Sequence, residues 1–209
     1  PFSDPMADGI VIQNAATHAL RGGMSLRLLF EQLRDIRRDV RIPLVFMGYL
    51  NPIMQFGFEA FCQKCVECGI DGVIIPDLPF RDYEESYKAI ALKYDIRVIM
   101  LITPETSEAR VREIDAHTDG FIYLVSSAAT TGAQKDFDTR KQAYFKKIED
   151  MNLRNPRMVG FGISNKQTFD AACAHSSGAI IGSRFVTLLN EKEGDAEKAI
   201  RQLKEDLKK

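Results

Sequence analysis

Apolar residues along this chain gather in six short, unbroken runs: PLVFMG (43–48), GVIIPD (72–77), RVIMLIT (97–103), GFIYLVS (120–126), MVGFGIS (158–164) and GAIIGS (178–183). They do not alternate with polar residues, so they are expected to be strands buried on both faces, as in a parallel sheet. Between them the apolar period is that of a helix. Ser25 stands ahead of Leu26, Leu29, Phe30, Leu33 and Ile36, an N-cap followed by one apolar face. Asp195 stands likewise ahead of Ala196, Ala199, Ile200, Leu203 and Leu207. Strand, loop and helix repeat with no linker or low-complexity tract. One α/β domain over residues 1–209 is expected.

The repeat leaves a choice between a doubly wound sheet and a barrel. No G-x-G-x-x-G follows the first strand and no G-x-x-x-x-G-K-[ST] loop occurs, so the nucleotide-binding sheets lack their fingerprints here. Glycines collect instead after the later strands, at Gly132, Gly160, Gly162 and Gly182, with Ser183 opening a short helix. Small residues there match the phosphate site of many (β/α)8 TIM barrels: backbone N–H groups can approach an anion, and a helix N-terminus favours its charge. The plainer alternative is that each glycine only turns the chain. Six strands are fewer than a closed barrel needs, and unpaired edges invite aggregation. The expectation is a barrel lacking its first two strands, with runs 43–48 and 178–183 as the two sheet edges.

Composition narrows the partners. The chain has 209 residues, is 45% hydrophobic and carries a net charge of −1, enough apolar residues for a core and no basic excess for nucleic acid. No apolar run approaches the length of a membrane span and no signal-peptide pattern opens the chain. Four cysteines without an evident pairing fit a reducing, cytoplasmic setting. FCQKCVECG holds a C-x2-C-x2-C spacing, but Phe58, Phe61, Cys62, Cys65 and Val66 fall on one helical face and Cys173 is remote. Buried thiols acting as small hydrophobes explain this better than a metal or cluster, and no metal or cofactor is expected. His18, His117 and His175 are expected to be structural.

The chain opens on PFSDPMADG, a loop by its prolines and glycine, with two acids, Asp4 and Asp8. PFSDPMADGIVIQNA, MGYLNPI, IIPDLP, the Y-L-x-S of 123–126, a Thr-Gly loop, GFGIS and GS occur in the order seen in the tryptophan synthase alpha subunit family, which this sequence resembles over its whole length. The first motif is highly specific, whereas GFGIS and GS are shared with many phosphate-binding barrels.

The resemblance implies a carbon–carbon lyase of tryptophan biosynthesis. Indole-3-glycerol phosphate is cleaved to indole and glyceraldehyde 3-phosphate, and the indole passes to a PLP-dependent beta subunit in an alpha2beta2 assembly. Breaking that bond needs a proton delivered to indole C3 and one removed from the glycerol hydroxyl, work suited to a carboxylic acid. A second carboxylate accepts the indole N–H and stabilises charge developing on the ring. By resemblance the second acid is Asp8. The first, the Glu of an E-L-G motif, is expected ahead of Pro1, so these 209 residues alone are expected not to turn over.

Tyr123, taken to end its strand, matches a tyrosine near the reacting atoms, and Phe161 a ring packing on the indole; both also suit ordinary barrel packing. Gly132, Gly162, Gly182 and Ser183 match the phosphate-binding backbone, and Thr131 the threonine of a mobile loop that closes over Asp8. Asp4, Tyr49 and Asn51 match the partner interface, although Asp4 also serves as a turn residue. Ile10 stands where the family has Pro, and Ala129-Thr130 where it has Gly-Val. Loops 1–9 and 126–134 are expected to face one end of the barrel. Two other readings stay open: another phosphate-binding barrel of sugar-phosphate or indole metabolism, which would share GFGIS and GS but not PFSDPMADG, and a non-catalytic activator of a beta subunit.

Overall fold

The computed structural model describes residues 8–125, 135–160 and 162–208, except the side chains of 135–140. Its contacts divide the described chain into two compact units, which the backbone passes between within α1 (Ile10–Arg21). The first holds Ala16–Met100 and His117–Gly120; the second holds Asp8–Ala15, Leu101–Ala116 and the chain from Phe121 onward.

In the first unit α2 (Leu26–Leu33) begins at Ser25, whose hydroxyl accepts the Leu28 N–H at 3.2 Å as the spacing predicts. There follow β1 (Val45–Met47), α3 (Leu50–Phe56), α4 (Phe58–Cys68), β2 (Gly72–Ile74), α5 (Phe80–Asp82), a π-helical turn (Tyr83–Tyr87), α6 (Lys88–Lys93) and β3 (Arg97–Ile99). The strands lie in the order β1-β2-β3, all parallel, with Val45 opposite Gly72 and Gly72 opposite Arg97. Helical crossovers between adjacent parallel strands are what the repeat demands. Arg37 closes the N-terminal ends of β1 and β2: Nε donates to Gly69 O at 2.7 Å, Nη1 to Ile42 O at 2.6 Å, and Nη2 pairs with Asp71.

Two expectations change here. β2 is buried throughout, but β1 leaves Val45 39% and Met47 49% exposed. β1 is the edge of its sheet, paired only to β2 among the described residues, so its outward face lacks the cover a central strand has. On α4, Phe58, Phe61, Cys62 and Cys65 are buried as expected, but Val66 is half exposed and Cys68 takes its place inside. The buried stripe is narrower than the apolar run and follows the i, i+3 line through the three cysteines. Burial pushes the Cys62 thiol up to about 11 and Cys65 higher still, so neither offers a thiolate at neutral pH.

The second unit runs β4 (Leu101–Ile102), α7 (Glu108–His117, its last residue counting with the first unit), β5 (Ile122–Val125), α8 (Lys135–Asp150), β6 (Arg157–Gly160), α9 (Lys166–Cys173), β7 (Gly178–Ala179), α10 (Ser183–Glu191) and α11 (Ala196–Asp206). Its strands are parallel in the order β4-β5-β6-β7. Ile102, Ile122, Leu124, Val159 and Leu188 are fully buried and make its core. The Asp115 carboxylate takes the Arg154 and Asn155 N–H groups at 2.7 and 2.8 Å and so fixes the entry to β6. The run at 97–103 is divided at Met100, β3 pairing with β2 and β4 with β5. Asp195 caps α11 by accepting the Lys198 N–H at 3.0 Å, and Ala199 is buried, but Ala196 and Ile200 face solvent. A helix lying on one neighbour buries a single stripe, narrower than the apolar list.

Candidate active site

Asp8 stands just ahead of α1 and is half buried. Gly9 O accepts the N–H groups of Ile12 and Gln13, starting the helix, and the Gln13 side chain returns to donate from Nε2 to Asp8 O at 2.7 Å. Gln13 thus pins the backbone that carries the carboxylate. Its signal in the sequence is a Gln at the fourth position of the helix that follows the opening motif.

Tyr123 is the second residue of β5, one turn of the pleat earlier than a strand-end position, and 3% exposed. Its ring lies across the neighbouring strand. A Cβ built on Gly160 would fall 1.9 Å from Tyr123 Oη and 2.2 Å from Cζ, so the space a side chain at 160 would need is taken by the phenol. Burial first, and then the charge of Asp8, raise the Tyr123 hydroxyl to about 12. It is therefore a neutral phenol at physiological pH, able to donate and to accept, within reach of the Asp8 field. The sequence groups Gly160 with the glycines matched to a phosphate site, whereas the structure places it at the end of β6 against the Tyr123 ring.

β6 and β7 run side by side, Val159 opposite Ala179, and Ile180 N–H donates to Val159 O at 2.7 Å. Gly162 follows the end of one strand and Gly182-Ser183 the end of the other, so register brings the two loops out at adjacent strand ends. Gly162 has φ +79°, a backbone that favours glycine, and it is exposed. Gly182 is the N-cap of α10 and Ser183 its first residue, and a glycine there brings no side chain to cap the first turn. Asp4, Thr131, Gly132 and Phe161 lie outside the described residues, as do most of loop 1–9 and loop 126–134.

In the first unit Tyr49 is the N-cap of α3 and Asn51 its second residue. Asp77, from the PDLP stretch after β2, accepts the Leu50 N–H at 2.8 Å and holds that turn against the strand ends. Among the described residues there is no cluster of three or more metal-ligating side chains, and no helix is long and apolar enough to cross a membrane.

Parallel strands alternating with helices fit the (β/α)8 barrel fold, with some of its strands lacking among the described residues. The tryptophan synthase alpha-subunit of the hyperthermophile Pyrococcus furiosus, solved as a point mutant, shares the architecture with a TM-score of 0.85 at 32% identity, covering 99% of this chain and 83% of that one. The tryptophan synthase complex of the same organism gives 0.85 at 31% identity with the same coverage. A model of the tryptophan synthase alpha chain family matches residues 1–209. The tryptophan synthase alpha chain of Bacteroides thetaiotaomicron is 81% identical over 208 residues, 100% of this chain and 81% of the relative, and that of Flavobacterium johnsoniae is 55% identical over 191 residues, 91% and 76%. The chain belongs to the tryptophan synthase alpha chain family. The reaction of that family is the lyase step of tryptophan biosynthesis, cleavage of indole-3-glycerol phosphate to indole and glyceraldehyde 3-phosphate.

Proposed function

We propose that the lyase site is built on the second unit, with Asp8 and Tyr123 as its catalytic residues. The observation that carries this is their shared environment: the Asp8 charge acts on a phenol that is packed, neutral and fixed by the glycine gap opposite it. Asp8 accepts the indole N–H and stabilises positive charge as C3 takes its proton. Tyr123 holds a hydroxyl near the reacting carbons without adding a charge. The glycerol phosphate is taken by backbone N–H groups at Gly132, Gly162, Gly182 and Ser183, Phe161 packs on the indole, and Thr131 meets Asp8 when its loop closes. Water exclusion on closure strengthens the Asp8 contact.

The same proposal extends to assembly and setting. Asp4, Tyr49 and Asn51 face a PLP-dependent beta subunit in an alpha2beta2 complex, in the cytoplasm; the Pyrococcus furiosus complex supports a partner of that kind. A single family model running through residues 1–209 supports reading the chain as one barrel domain. The reading assigns the proton for C3 to the Glu of an E-L-G motif, and on it we expect residues 1–209 taken alone to give no turnover.

The test is Asp8→Asn in a form that also carries the Glu. It keeps the shape and removes the charge. We expect kcat to fall about 10²- to 10⁴-fold with KM changed far less. Near-normal kcat would remove Asp8 from the mechanism.

A further inference from the structure

We infer that Asp206 is a positioning residue for substrate phosphate, acting through Arg184 on the N-terminus of α10; this rests on the phosphate reading of Gly182 and Ser183. Arg184 is the second residue of α10. Its side chain runs back along its own helix, away from that N-terminus, with Nη1 3.7 Å from Glu191 Oε1. Nη2 and Nε donate to Asp206 Oδ2 at 2.6 and 3.1 Å, and Gln202 Nε2 donates to Oδ1 at 2.9 Å. Both carboxylate oxygens are engaged, so the group cannot turn without breaking a bond. The two side chains are 29% and 20% exposed, against 75% each for the Arg201–Glu197 pair on α11, so solvent screens this contact less.

The contact has a mechanical consequence. Arg184 lies at the start of α10 and Asp206 at the end of α11, so the helices run antiparallel and are held together at both ends. One end is the short turn at 192–195, with Glu193 at φ +53° and Gly194 at φ +87°. The other is Arg184–Asp206. The nine residues of α10 span about 13 Å, so the turn is a full helix length from the phosphate loop and cannot by itself fix it. The lock at Asp206 sets where the N–H groups at 183–185 point.

It also has an electrostatic one. A cation in the first turn opposes the helix dipole. Asp206 neutralises the guanidinium and keeps it facing away, so the anion meets a fixed array of backbone N–H groups rather than a mobile side chain.

The experiment is calorimetric titration of glycerol 3-phosphate into the protein and its variants, with thermal unfolding recorded for each. Asp206→Asn should bind about 3- to 10-fold more weakly, Asp206→Glu should recover most of the loss, and Glu197→Gln should bind as the parent does. In a form that turns over, Asp206→Asn should raise KM for indole-3-glycerol phosphate by a similar factor at constant kcat. Binding by Asp206→Asn that equals or exceeds the parent overturns the inference, as does an equal loss in Glu197→Gln, which would mark a general loosening of α11. If the parent itself takes no glycerol 3-phosphate, the phosphate reading falls and the inference with it; parent binding with an indifferent Asp206→Asn sinks the inference alone.

Discussion

Gly160→Ala adds one methyl at the point where strand β6 meets the Tyr123 ring. The new Cβ would sit 1.9 Å from Oη, 2.2 Å from Cζ and 2.4 Å from Cε1. Reaching an ordinary contact of about 3.4 Å from Oη requires a displacement of about 1.5 Å, the difference of the two distances. The strand cannot supply it cheaply, because β6 is hydrogen-bonded on both sides, to β5 and β7. The ring must move, and it is 3% exposed in a close-packed layer. Overpacking of this kind costs about 1–3 kcal/mol. A shift of an ångström or more in a group near reacting atoms costs about 10²-fold in rate. We expect Gly160→Ala to lose stability by that amount in urea unfolding and, in a form that also carries the protonating Glu, to lose kcat by about two orders of magnitude. Tyr123→Phe should not relieve the clash, because Cζ and Cε1 remain in the way. Tyr123→Leu should, so Gly160→Ala made in that background should cost under about 0.5 kcal/mol, a coupling readable in a double-mutant cycle. A single Gly160→Ala variant with parental stability and kcat would refute the packing of Tyr123 against this glycine.

Alkaline unfolding gives a second reading of the same burial. Tyr83 and Tyr123 are each raised from 10.0 to about 12, chiefly by burial, so the folded state holds protons the unfolded state releases. Their contribution to stability is whole below pH 10 and is lost as pH rises toward about 12; a urea midpoint that stays flat across that window, followed with tyrosinate absorbance, would contradict it. Tyr144→Phe tests a buried hydroxyl with no hydrogen-bond partner among the described residues. Removing it should stabilise the protein by about 1 kcal/mol, and a loss of that size would show that the hydroxyl is satisfied after all.

Much of the architecture was legible in the order of residues alone, for reasons that act locally. Unbroken Val-, Ile- and Leu-rich runs form strands of a parallel sheet, and where neighbours cover them, as at β2 and Ile122–Leu124 of β5, they are buried. Ser25 and Asp195 cap their helices because a short side-chain oxygen beside an unpaired N–H needs nothing from afar. The opening motif makes Asp8 a candidate through its resemblance to a family motif, because its string of prolines, acids and glycine is long enough to be specific. What only the tertiary structure decided depends on residues far apart in sequence meeting in space. The edge position of run 43–48 was expected, but not that Val45 and Met47 would be left exposed there, and Val66 and Ile200 are apolar but face away from their neighbours. Nothing in GFGIS tells that its first glycine is the gap into which a tyrosine thirty-odd residues earlier is packed, nor that Gln13 turns back to hold Asp8. Asp206 and Arg184 read as two more surface charges until α10 and α11 fold antiparallel and bring them together. Propensity, capping and periodicity are written within a few residues of one another, whereas the phenol's environment and the Arg184–Asp206 contact exist only after the strands have registered and the last two helices have closed.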